Sequence, residues 1–129
     1  MLLVDDERAV AESLRHALHD DHDVETALSA REARALLEAG ETFDVVLCDL
    51  TMPVESGADF YSYVKVHYPS LSQRFVFMTG GAFTASSSDF LSQSECPHVE
   101  KPFALEQLRE LLATFIERAS DTPNVTPRA

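Results

Sequence analysis

Residues 43–53, Phe-Asp-Val-Val-Leu-Cys-Asp-Leu-Thr-Met-Pro, constrain the fold more than any other stretch of the chain. The run Val45–Cys48 is apolar without interruption and stops at an acid, Asp49. A run of that length reads as a strand buried on both faces, which is the situation of a parallel sheet covered by helices on each side. Pro53 denies helix to Met52 and turns the chain into a loop. Asp49 is thereby placed at the carboxyl end of a central strand. It faces the crevice in which open α/β sheets bind their ligands.

The flanking sequence supplies the other parts of such a sheet. Met1–Val4 is a short apolar strand ending in Asp5-Asp6-Glu7. Val10, Leu14, Ala17 and Leu18 recur at helical spacing and predict an amphipathic helix over residues 9–19. Val24–Ala27 has mixed polarity, which suits a sheet edge. Ser29 and Glu32 are spaced as a capping box. Behind them Ala30, Ala33, Leu36 and Leu37 form a second helical stripe, with Gly40 as its stop. Residues 57–68 fit two templates. Phe60, Ser62, Val64, Val66 and Tyr68 alternate as in a strand, whereas Phe60, Tyr63, Val64 and His67 share one face of a helix. A parallel neighbour requires a crossover, usually helical, and this assigns the segment to a helix ended by Pro69.

Arg74–Met78 is a third apolar strand, stopping at Thr79-Gly80-Gly81. The serine-rich segment Thr84–Gln93 is the next crossover, and its weak patterning predicts a short or frayed helix. Pro97–Glu100 is a second mixed strand, ending at Lys101-Pro102. Leu105, Leu108, Leu111, Leu112, Phe115 and Ile116 then give the strongest helical stripe of the chain. Strand and helix thus alternate five times. The fold class is α/β, a doubly wound (βα)5 parallel sheet of five strands, with the three apolar strands central and the two mixed ones at the edges.

A length of 129 residues suits one domain with a real core. The formal net charge of −12 argues against nucleic acid as a direct partner, because the phosphate backbone would be repelled. There is no apolar run of membrane-spanning length and no signal-peptide pattern, so no membrane contact by this domain is expected. Cys48 and Cys96 make neither a disulfide framework nor zinc spacing, which fits a reducing, cytoplasmic setting. His19-Asp20-Asp21-His22-Asp23 has the residue types of a metal cluster but reads as a solvated helix-to-strand turn. Ser120–Ala129 carries prolines and threonines without an apolar pattern. It is expected to be a disordered tail or linker, leaving residues 1–119 as the domain.

Four of the five strands end in a reactive side chain: Asp5 and Asp6, Asp49, Thr79 and Lys101. Like ends of parallel strands lie on one side of the sheet, so these groups converge on one crevice, the usual pattern of a functional site. Three carboxylates together repel one another, and a divalent cation resolves the repulsion. Oxygen-only donors and few carboxylates point to Mg²⁺. With the metal in place Asp49 can act as a nucleophile on phosphorus. The metal, the Lys101 ammonium and the Thr79 hydroxyl would then receive the three phosphoryl oxygens. Gly80 and Gly81 leave room for a phosphodonor and for loop movement.

Asp5-Asp6, Asp49 in Asp-Leu-Thr-Met-Pro, Thr79 and Lys101-Pro102-Phe103 together resemble the signature of the receiver domain of two-component response regulators, from Met1 to about Ala119. The resemblance implies a flavodoxin-like sheet of strand order 2-1-3-4-5. It implies phosphotransfer to Asp49 from a histidine kinase or a histidine phosphotransfer protein, with self-catalysed transfer and dephosphorylation. It makes Asp6 a direct Mg²⁺ ligand, Asp5 a ligand largely through water, and Thr51 a ligand through its backbone carbonyl. It also implies a cis peptide before Pro102 and a switch role for Thr79. Two positions depart from the family pattern. His98 stands where an aromatic commonly swings inward on activation, and is either an edge-strand surface residue or a titratable switch. The serine-rich segment lies where receivers often form homodimers, which argues against that dimer in its usual form.

Two rival functions compete with this one. A phosphatase of the haloacid dehalogenase type needs an acid two residues after its nucleophile, and Thr51 stands there. A receiver-like interaction module that is never phosphorylated is favoured by loss of an acid, the threonine or the lysine, and all are present. Phe77–Phe83 resembles receivers attached to hybrid sensor histidine kinases, and the abrupt start at Met1 leans the same way. The expected parent is therefore a hybrid kinase, with a stand-alone single-domain regulator as the alternative.

Overall fold

The computed structural model describes residues 1–20, 22–50, 52, 54–80, 85–94, 96–101 and 104–121, with the backbone alone at 85–88 and 115–121. The elements run β1 (Leu2–Val4), α1 (Arg8–Leu18), β2 (Glu25–Ala27), α2 (Ala30–Glu38), β3 (Val46–Asp49) and α3 (Gly57–His67). They continue with α4 (Pro69–Ser72), β4 (Phe75–Thr79), α5 (Ala85–Ser94), β5 (His98–Glu100) and α6 (Leu105–Asp121). All strand pairs are parallel and the sheet order is β2-β1-β3-β4-β5. The apolar strands β1, β3 and β4 are buried at every position and central, whereas β2 and β5 carry exposed residues and form the edges. Sequence polarity thus sorts strands between centre and edge, as burial on two faces or one requires.

Side chains alternate across the sheet and divide the core in two. Leu2, Val4, Val46, Cys48, Phe75 and Phe77 pack with Ala33 and Leu37 of α2 and with Phe60, Tyr61 and Val64 of α3. Leu3, Leu47, Val76 and Met78 pack on the other face with Leu14 and Leu18 of α1 and with Leu108 and Leu112 of α6. Phe115 and Ile116, also on the predicted stripe, lie where only the backbone is described.

Residues 57–67 are helical, as the crossover argument requires. Pro69 does more than end that helix: it starts the short turn α4 from its first position, where its missing N–H costs nothing. The serine-rich crossover forms a ten-residue helix, longer than its patterning predicts. The capping box expected at α2 is half formed. Ser29 Oγ accepts from the Glu32 amide at 3.1 Å, but the Glu32 carboxylate accepts from Leu28 N rather than from Ser29 N. The complete reciprocal box is at α3, between Ser56 and Asp59, where an acid one methylene shorter serves the same purpose.

Candidate functional site

The parallel strands end together at one edge of the sheet, and the site is built from residues at or just past those ends. Asp5, just past β1, is fully buried. Its Oδ1 accepts the Glu7 amide at 2.9 Å and its Oδ2 accepts Lys101 Nζ at 3.1 Å. Asp49 closes β3, is buried, and its Oδ2 accepts from the same Nζ at 3.4 Å. Asp6 is exposed at the mouth. One carboxylate oxygen from each of Asp5, Asp6 and Asp49 lies within 4.8 Å of the others. Donor oxygens at this spacing, two of the three acids buried, suit a hard divalent cation.

Lys101 reaches the acids from the end of β5, where its own N–H donates to Thr79 O at 2.7 Å. Burial alone would pull its pKa down. The Asp5 hydrogen bond and the charges of Asp49 and Asp5 outweigh burial and leave it raised, so the ammonium is held charged. One cation against three acids leaves a net negative crevice, which attracts metal ions.

Thr79 ends β4 and is buried, but its hydroxyl donates to Val99 O at 3.4 Å, toward β5. Among the described residues, a Cβ at Gly80 would meet nothing within 4 Å. His98 opens the edge strand β5, exposed and paired in register with Phe77, at the end opposite the one where Lys101 follows. Of the predicted site residues, the fold brings together Asp5, Asp6, Asp49 and Lys101, with Thr79 beside them at the end of β4. Thr51, Gly81, Pro102 and the tail beyond Asp121 lie outside the described residues.

Gly57 is a site residue that sequence reasoning overlooked. It opens α3, its N–H donates to Leu50 O at 2.9 Å, and a Cβ there would collide with the carbonyl oxygen of Asp49. The glycine lets the helix start abut the carboxyl end of β3. A glycine directly after a Ser cap, four residues past a Pro, was the signal available for it.

Residues 1–113 match the model of a family described as the response regulator receiver domain. Among curated proteins, the chain is 32% identical over 118 residues to the alginate biosynthesis transcriptional regulatory protein AlgB of Pseudomonas aeruginosa, covering 91% of the chain and 26% of AlgB. It is 29% identical over 120 residues to the sensor kinase CckA of Brucella abortus, covering 92% of the chain and 12% of CckA. The chain thus spans about a quarter of the former and an eighth of the latter. Among solved structures, a response regulator receiver domain protein from Clostridium thermocellum superposes with a TM-score of 0.78 at 27% identity, covering 92% of this chain and 94% of that one. Among the described residues no helix is long and apolar enough to cross a membrane.

Proposed function

The chain belongs to the response regulator receiver domain family, and from that membership we propose that it is a phosphoacceptor in two-component phosphorelay signalling. Asp49 takes the phosphoryl group of a phosphohistidine carried by a histidine kinase or a histidine phosphotransfer protein. The observation that carries this reading is the convergence of Asp5, Asp6, Asp49 and Lys101 on one crevice. A carboxylate oxygen of Asp49 attacks phosphorus, the P–N bond breaks, and its electron pair stays on the imidazole, leaving an acyl phosphate on Asp49. Asp5, Asp6, Asp49 and the Thr51 carbonyl are the groups that would hold Mg²⁺, which offsets charge on carboxylate and phosphoryl oxygens when bound.

Lys101 is placed to pair with a phosphoryl oxygen on Asp49. Thr79 must release Val99 O to reach another, and that rotation is the switch. It biases the surface of α5, β5 and α6, which includes Phe90, His98 and Leu105–Leu112. A groove lined by His98, Gln107, Glu110 and Leu111 lies there. His98 is either an exposed edge-strand residue or a switch that makes the response pH-sensitive; an identical response at about pH 6 and pH 8 sinks the switch role.

The receiver occupies residues 1–119, and 120–129 is a tail or linker whose first two residues continue α6. It works in the cytoplasm, with no direct contact to nucleic acid or membrane by this domain. The protein is a hybrid kinase, as the Phe77–Phe83 stretch suggests, a regulator with an output domain, or a stand-alone single-domain regulator. Similarity to AlgB, whose name makes it a transcriptional regulatory protein, favours the regulator. The test is incubation with acetyl phosphate and Mg²⁺, read by intact mass beside Asp49→Asn and a metal-free control. A Mg²⁺-dependent adduct, labile to hydroxylamine and absent in the variant, is expected. No adduct from acetyl phosphate or from a phosphohistidine protein favours the silent interaction module.

A further inference from the structure

The loop that leaves the phosphoacceptor contains a residue in an unfavourable conformation. Val54 has φ +69° and is fully exposed. A β-branched residue in the left-handed region is an outlier, and such a residue persists only where its surroundings over-determine it. Nothing in the contacts of the Val54 side chain supplies that hold, since it faces solvent.

The next residue does. Glu55 Oε2 lies 2.7 Å from Arg34 Nη1, and neither side chain is more than a third exposed. This pair joins the loop to α2, 21 residues earlier in the chain. Arg34 is itself seated, because its guanidinium lies 5.5 Å from the centre of the Tyr63 ring on α3. Tyr63 is fixed in turn by donating its hydroxyl to Glu38 of α2 at 3.0 Å. The arginine is therefore a shaped brace between two helices and the loop.

The loop ends close to the chemistry. Leu50 O accepts from Gly57 N at 2.9 Å, so Glu55 stands two residues before the point where the loop meets the end of β3 again. Gly57 sits so close to Asp49 that a Cβ there would collide with the Asp49 carbonyl oxygen, so a displacement carried from Glu55 through Ser56 to Gly57 presses on the backbone of Asp49. We infer that Arg34 is a positioning residue for phosphoryl transfer: through Glu55 it holds the strained Val54 turn, and with it the placement of Asp49. Reacting groups tolerate little misplacement, since an error of about 1 Å can cost roughly a hundredfold in rate. Loss of the brace lets Val54 relax toward negative φ and moves Gly57 against Asp49.

This inference rests on the phosphoacceptor reading, and the experiment separates the two. The rate of adduct formation with acetyl phosphate and Mg²⁺ is measured by intact mass for the wild type, Arg34→Met, Val54→Gly and Arg34→Met with Val54→Gly. Glycine takes φ +69° without strain, so it removes the need for a brace. Arg34→Met is expected to slow transfer about tenfold in the Val54 protein, a partial form of the misplacement penalty. In the Val54→Gly protein the same change is expected to cost less than about threefold. A thermal melt of each variant checks that it is folded. Equal rates for wild type and Arg34→Met overturn the inference, as does an equal loss in both backgrounds, which marks a merely structural role. A wild type that accepts no phosphoryl group from acetyl phosphate or from a phosphohistidine protein sinks the phosphoacceptor reading, and the brace falls with it.

Discussion

Lys101 is the residue on which the site's electrostatics turn. One ammonium serves two buried carboxylates, at 3.1 Å from Asp5 and 3.4 Å from Asp49. Truncating it leaves both acids buried without that cation, a loss of about 1–3 kcal/mol for the unsatisfied groups. Lys101→Ala is therefore expected to lower stability by that amount in urea unfolding. Mg²⁺ should restore most of the loss, because it supplies the missing positive charge. The variant should still bind Mg²⁺ but fail to couple phosphate to the conformational change; normal signalling by it would contradict the role given to Lys101. At alkaline pH, Tyr61 adds to the effect. Its phenol is pushed up to about 12, first by burial and then by contact with Cys96. Lys101 and Tyr61 both hold their protons more tightly folded than unfolded. Their contributions are whole below about pH 10 and are lost as pH climbs toward 12. Tyr63 is likewise pushed up to about 12, first by burial and then by its hydrogen bond to Glu38, so spectrophotometric titration should show two tyrosines, Tyr61 and Tyr63, ionising late, in the window where unfolding occurs.

The elements show where sequence reading succeeds and where it stops. Strand ends were legible because polarity changes abruptly there: Val4 to Asp5, Cys48 to Asp49, Met78 to Thr79. Those boundaries carry the acids, the threonine and, after β5, the lysine. The direction of a side chain was not legible. That the Thr79 hydroxyl turns to Val99 O depends on packing between β4 and β5, and no spacing records it. The Arg34–Glu55 pair also escaped notice, because it joins residues that only the fold makes neighbours. The helix over 57–67 was settled by topology and not by its own ambiguous pattern. Its start packs directly against the backbone of Asp49. Gly57→Ala drives a Cβ into backbone, which cannot rotate away. It is expected to cost about 1–3 kcal/mol by overpacking and to slow phosphoryl transfer. Ser56→Ala removes only the cap, for about 1 kcal/mol, and should leave the transfer rate nearly unchanged. Denaturant midpoints beside transfer rates distinguish the two.

At the scale of the molecule, five parallel strands in the order β2-β1-β3-β4-β5 bring residues 5, 49 and 101 together across almost the whole chain. The division into central and edge strands followed from polarity. The order itself came from family resemblance, since polarity does not say which edge strand lies on which side. Because the acids come from separate strands, a cation that binds them also ties the sheet together. Binding to the folded state alone should raise stability with Mg²⁺ concentration, by about 2.7 kcal/mol at a hundredfold excess over Kd. Asp49→Asn should lose most of that gain while keeping the fold; an equal gain in the variant would remove Asp49 from the metal site.

Three clustered acids compete for the phosphoryl group, and Asp49 is proposed to receive it. Reduction of the phosphorylated protein with borohydride converts an aspartyl phosphate to homoserine and fixes its position for peptide mass spectrometry. Homoserine at residue 49, and at neither 5 nor 6, is the expected result. Homoserine at Asp5 or Asp6, with residue 49 intact, would contradict the assignment of the acceptor and of every group arranged around it.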